Sequence, residues 1–130
     1  MTACDASEAW YHGSPLRLRA IRKRSTVTQD RDLARVFSHR PSLVSVSDGM
    51  GAPRIKHDGT TPGFLYRVAE DVRPGDVRPH PRSSVGCGKE WLTNRELRVT
   101  LVGATEIVER ERLTEKEIAA LRTRLQMRDR

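Results

Sequence analysis

The sequence predicts a single α+β domain built on antiparallel strands, with few helices and one helix at its C-terminus. Three observations predict it. The chain has 130 residues, the length of one domain and enough to bury a core without a disulfide or metal staple. Its strand-like segments are short and separated by Gly and Pro, without the regular strand–helix alternation of a doubly wound parallel sheet. Near the C-terminus a capping box precedes apolar residues at helical spacing.

The elements follow in order. Residues 9–13 form a short aromatic strand that runs into Gly13-Ser14-Pro15, a turn signal. Leu16, Leu18 and Ile21 then place apolar side chains in an arginine-rich connection. Residues 26–32 are polar and read as a loop, and residues 35–38 are apolar and read as a strand. Residues 41–46 read as the first turns of a helix, because proline is tolerated at a helix start. Residues 47–62 carry three glycines, two prolines and several charges, and read as a mobile loop.

Residues 63–69, Gly-Phe-Leu-Tyr-Arg-Val-Ala, read as a buried strand. Residues 71–88 hold Pro74, Gly75, Pro79, Pro81, Gly86 and Gly88 and cannot be regular for long. A short apolar patch follows over 90–93. Residues 96–102 alternate Leu97, Val99 and Leu101 with Arg98 and Thr100, a clear strand pattern that 105–108 extends. In Thr114-Glu115-Lys116-Glu117 the hydroxyl can accept from the Glu117 backbone while the Glu117 carboxylate reaches back, and Ile118, Leu121 and Leu125 continue the helix.

Charge and composition narrow the function classes. The net charge is +7, from 24 basic and 17 acidic residues, and favours anionic partners. The arginines are dense only over 17–24 and 122–130. No apolar run reaches the roughly 18 residues of a membrane span, and the first residues lack a signal-peptide pattern, so a cytoplasmic protein is expected. Cys4 and Cys87 form neither a metal spacing nor a disulfide framework, and no metal is expected. No Gly-x-Gly-x-x-Gly opens a helix and no Walker loop is present.

Two side chains stand out as candidates for chemistry. His12 ends an aromatic strand beside a glycine, which puts its ring at a rim and leaves the backbone open to close approach. The same placement also suits a structural histidine. Glu90 enters the apolar Trp91-Leu92 segment at its first position, where a carboxylate is costly to bury unpaired and where working carboxylates are enriched. A solvent-facing glutamate fits there too. Tyr66 and Trp10 suit a core, His39 and His57 lie in polar contexts that read as exposed, and His80 reads as a surface residue.

Taken together, Tyr11-His12-Gly13-Ser14-Pro15, Val36-Phe37-Ser38, residues 63–68 and Glu90-Trp91-Leu92-Thr93 form an ordered series. It resembles the ADP-ribosyltransferase superfamily, both its diphtheria-toxin-like and its poly(ADP-ribose)-polymerase-like branches, over about residues 9–108. A second resemblance, to the small rifamycin ADP-ribosyltransferases, rests on length, the His-Gly-Ser start and Asn94-Arg95-Glu96-Leu97-Arg98-Val99, which lacks the proline of their late motif. The resemblance implies a split antiparallel sheet and NAD as the substrate. It implies that His12 holds a ribose hydroxyl, Gly13 offers backbone contacts to the nicotinamide amide, and Glu90 is the catalytic acid. Ser14, Phe37, Ser38 and Tyr66 complete the implied NAD-binding set. Phe37 takes the place of the superfamily's tyrosine and can stack but cannot donate a hydrogen bond. Gly88, two residues before Glu90, disfavours protein-arginine modification.

The implied activity is mono-ADP-ribosyl transfer to a protein, nucleic acid or small molecule. Water as the acceptor would make the chain an NAD-depleting toxin. Arg17, Arg19 and Arg82 are candidates to neutralise the diphosphate. An inactive module that binds nucleotide or nucleic acid on the same fold is the alternative, and the missing tyrosine favours it.

Overall fold

In the computed structural model the described residues are 9–46, 55–81 and 89–128. They form an α+β domain of antiparallel sheets with two α-helices, one of them C-terminal. The strands are β1 (Tyr11–Ser14), β2 (Ala20–Ile21), β3 (Thr26–Val27), β4 (Val44–Val46), β5 (Ile55–His57), β6 (Gly63–Val68), β7 (Val77–Pro79), β8 (Trp91–Thr93) and β9 (Leu97–Thr105). The helices are α1 (Arg31–Phe37) and α2 (Glu115–Arg128).

A four-stranded sheet has the order β1-β6-β9-β2, a three-stranded sheet the order β3-β8-β7, and β4 pairs with β5 in a ribbon. The first two sheets enclose the main core. Alternation along β1, β6 and β9 turns Trp10, Tyr66, Val68, Leu97 and Val99 to one face, where they meet Val27, Val77 and Trp91 of the second sheet. Trp10 and Trp91 meet edge to face with ring centroids 5.7 Å apart, the arrangement aromatic quadrupoles prefer. Tyr66 is fully buried because its hydroxyl is satisfied there. It donates to the Leu16 carbonyl at 2.7 Å and accepts from the Leu18 N–H at 2.9 Å.

The other face of the four-stranded sheet carries α1. Asp30 caps its start by accepting from the Leu33 N–H at 3.2 Å, and Leu33, Ala34 and Val36 are buried. Leu33 and Val36 pack with Ile55 of the ribbon in a second, smaller core. Glycine lets the helix lie against the strands. A Cβ on Gly13 would stand 1.9 Å from the Ala34 carbonyl oxygen, and one on Gly63 2.5 Å from that of Ser38. The Ser38 hydroxyl, 2.7 Å from that of Thr105, ties the helix end to β9.

Several sequence expectations change. In the apolar run 35–38, residues 35–37 belong to α1, not to a strand, and Ser38 caps its end, because the Asp30 cap starts a helix within the stretch read as a loop. Thr26–Val27 in that stretch is a short strand paired with β8. Residues 41–46 do not begin a helix. Val44–Val46 pairs with Ile55–His57, so β-branched residues fill a ribbon and part of the expected loop is strand. The rest of that loop, 47–54, and the glycine-rich stretch 82–88 lie outside the described residues.

The strands expected over 63–69 and 96–102 form as β6 and β9. The capping box forms too. The Glu117 N–H donates to the Thr114 hydroxyl at 3.1 Å and the Glu117 carboxylate accepts the Thr114 N–H at 3.0 Å. Among the described residues no helix is long and apolar enough to cross a membrane.

Candidate functional site

The site follows from where the two main sheets part. Tyr11 bridges to Thr28, exchanging hydrogen bonds of 2.7 and 3.0 Å, and beyond that point β1 and β3 diverge. A cleft of about 310 Å³ opens along this edge of β1. Tyr11, His12 and Gly13 form one wall with Thr26 of β3. Ala34 and Phe37 of α1, then Arg40, Pro41, Ser42 and Val44, form another, and Glu90 closes the set.

The backbone of Gly13 is oriented by strand alternation. The Val68 N–H donates to the Trp10 carbonyl at 2.9 Å, so Trp10 and His12 turn their backbone groups toward β6. Tyr11 and Gly13 turn theirs the other way. For Tyr11 that direction meets Thr28, and for Gly13 it is the cleft edge.

His12 crosses the same edge with its ring. Its Nδ1 lies 2.7 Å from the Thr26 carbonyl, which can only accept, so Nδ1 carries the proton and Nε2 keeps a lone pair. Burial holds the imidazole below its ordinary pKa, against the opposing effect of the Thr26 hydrogen bond. At neutral pH this is a neutral ring presenting an acceptor.

Glu90 is placed by its neighbours. Trp91 is anchored in the core and the Glu90 carbonyl accepts the His80 N–H at 3.0 Å, which fixes the carboxylate's backbone at the start of β8. The cleft brings His12, Gly13, Phe37 and Glu90 together from distant parts of the chain.

The remaining implied NAD-binding residues lie elsewhere. Ser14 is buried and caps the turn by accepting the Leu16 N–H at 3.1 Å. Ser38 is engaged with Thr105 at the helix end, and Tyr66 lies in the core. Phe37 stands on a helix, and the strand before that helix contributes Thr26. Arg17 sits over the Phe64 ring, 5.1 Å from its centroid, Arg19 is exposed away from the cleft lining, and Arg82 is outside the described residues. In the stretch 94–99, Arg95 pairs with Glu70 and Asp76 at 3.0 Å each, while Leu97 and Val99 enter the core.

His39 and His57 depart from the exposed positions expected of them. Both are fully buried, with rings stacked at 5.4 Å and 13°. The His39 Nδ1 donates to the Thr61 carbonyl at 2.7 Å, whereas the His57 Nδ1 accepts the Gly59 N–H at 3.0 Å. Those partners lie far along the chain or depend on a local turn, so nothing in the flanking polar residues marks the burial.

Arg40 was missed by sequence reasoning. Among the described cleft-lining residues it carries the one permanent positive charge. Its backbone is left-handed at φ 55°, a conformation that would have been expected from Gly or Asn and gives no signal at an arginine. Among the described residues no three His, Cys, Asp or Glu side chains are grouped to hold a metal ion. Comparison with protein-family models, curated proteins and solved structures finds no match.

Proposed function

We propose that this protein cleaves the nicotinamide–ribose bond of NAD and transfers ADP-ribose to an acceptor, as a small mono-ADP-ribosyltransferase on that superfamily's split-sheet fold. The observation that carries this reading is the convergence of His12, Gly13, Phe37 and Glu90, the core of the implied site, on one cleft. The Gly13 peptide groups suit the nicotinamide amide, one accepting its N–H and the other donating to its oxygen. The Phe37 ring suits stacking on nicotinamide. The His12 Nε2 lone pair suits a ribose hydroxyl, which it would accept without needing a proton of its own.

The chemistry explains the carboxylate. As the C1′–N bond breaks, its electron pair leaves with nicotinamide and positive charge develops on the ribose ring. A carboxylate beside that ring stabilises the transition state more than the ground state. The acceptor oxygen or nitrogen then bonds to C1′, and its proton passes to a base, for which Glu90 is the candidate. Phe37 supplies no hydrogen bond, and that favours a second reading, a nucleotide-binding module without turnover. The two differ in one assay. Nicotinamide release from NAD is expected from the wild-type protein and is expected to fall about 10²–10³-fold in a folded Glu90→Gln variant. NAD binding by both proteins with no release, under every acceptor class tried, would favour the binding module.

A further inference from the structure

We propose that Arg40 is the diphosphate-positioning residue of this cleft, so that the site selects ligands carrying a phosphate anion next to the ribose. The inference rests on the NAD reading above and adds a residue that the resemblance does not supply. It starts from a mismatch between backbone and side chain. Position 40 follows the end of α1 with φ 55°, and its N–H donates to the Phe37 carbonyl at 3.1 Å. The fold therefore asks for a left-handed residue there, and glycine or asparagine meets that demand at lower cost. The backbone gives no reason for a guanidinium.

The surroundings hold this position in place. The Asp58 carboxylate accepts the N–H groups of Ser42 and Leu43 at 2.8 and 2.9 Å, and the His39 carbonyl accepts the Thr61 N–H at 3.3 Å. These contacts clamp the segment on both sides of Arg40. No ion pair or side-chain hydrogen bond engages the Arg40 guanidinium among the described residues, unlike Arg35 and Arg95, which are bound to carboxylates. An unengaged guanidinium carried on a held backbone at the cleft wall presents a planar donor fork that matches phosphate oxygens. His12 is neutral and Arg17 and Arg19 do not line the cleft, so among the described residues Arg40 is the cation available to a bound diphosphate.

The test compares Arg40→Asn, which tolerates the left-handed backbone, and Arg40→Lys with wild type by calorimetry. The probes are NAD, nicotinamide riboside and inorganic pyrophosphate, and thermal melts establish folding. Arg40→Asn is expected to weaken NAD and pyrophosphate about ten-fold or more while leaving nicotinamide riboside unchanged, with Arg40→Lys intermediate. Equal pyrophosphate affinity in wild type and Arg40→Asn would overturn the proposal. So would equal losses for NAD and nicotinamide riboside, or no pyrophosphate binding by wild type. Arg40-dependent pyrophosphate binding without binding of NAD or nicotinamide riboside would uphold the role of Arg40 and refute the transferase reading.

Discussion

Replacing Gly13 by alanine tests how the cleft is built. The new Cβ would stand 1.9 Å from the Ala34 carbonyl oxygen and 2.6 Å from the Ser38 nitrogen, both backbone atoms of the α1 region. A normal carbon–oxygen contact is about 3.3 Å, so α1 must retreat by roughly 1.4 Å. It cannot do so locally. Its buried Leu33 and Val36 pack with Ile55, and Ser38 is bonded to Thr105. Overpacking of this kind costs about 1–3 kcal/mol, and backbone neighbours put it at the upper end. The loss of unfolded-chain entropy on going from Gly to Ala returns only about 0.4–1 kcal/mol. A net loss of about 2 kcal/mol lowers the melting temperature of a domain this size by roughly 8 °C. Thermal and urea unfolding would measure it, with Gly103→Ala as the control, because a Cβ there meets nothing within 4 Å. A Gly13→Ala variant melting within about 2 °C of wild type would refute the close-packing argument.

Two further outcomes are expected. Tyr66→Phe should lose about 1–3 kcal/mol, because the Leu16 carbonyl and Leu18 N–H lose their partner, and its NAD affinity should be unchanged. An unchanged melting temperature with ten-fold weaker NAD binding would instead put the Tyr66 hydroxyl at the ligand. Acid should weaken the fold early: burial, then the stacked His39 and the nearby Arg35, hold His57 below its ordinary value of 6.5 against Glu111 and Asp58, and burial does the same to His12. Both histidines stay neutral in the folded state while the unfolded chain takes up protons, so stability is full above about pH 6.5 and falls below it, by at most about 1.4 kcal/mol per pH unit for each. A melting temperature flat from pH 7.5 to 5.5 would contradict this.

The parts of the fold that sequence reasoning reached are those with local signals. A short, largely apolar run marked β6, alternation marked β9, and reciprocal side-chain bonds within four residues marked the start of α2. His12 and Glu90 stand out in the sequence beside the ends of an aromatic and an apolar segment; in the structure His12 lies within β1, Glu90 directly precedes β8, and both line the cleft. What stayed hidden depends on distant partners. Residues 35–38 look like a strand until Asp30 is seen to cap a helix whose apolar face meets Ile55. Tyr66 suits a core on its sequence context and lies in one, but the partners of its hydroxyl, two backbone groups some fifty residues earlier, give no local signal. Arg40 gives no signal at all, because its place on the cleft follows from the left-handed turn after α1.

The charges on the cleft bear on the choice between turnover and simple binding. An anionic ligand held only for binding gains from Arg40 and loses from Glu90, since a carboxylate near a phosphate is repulsive and more so where water is partly excluded. A site shaped only for binding would do better with glutamine at position 90. The cost is offset where positive charge develops on the ligand during reaction, because the carboxylate then acts mainly in the transition state. Glu90→Gln therefore separates the two readings by what happens to turnover, because affinity is kept or raised in both. A binding module should hold NAD as tightly or more tightly after the change. An enzyme of the proposed kind should show the same gain or no change in binding and lose turnover by orders of magnitude. The joint outcome, affinity kept and nicotinamide release lost, is the signature that a carboxylate placed for the reaction must give.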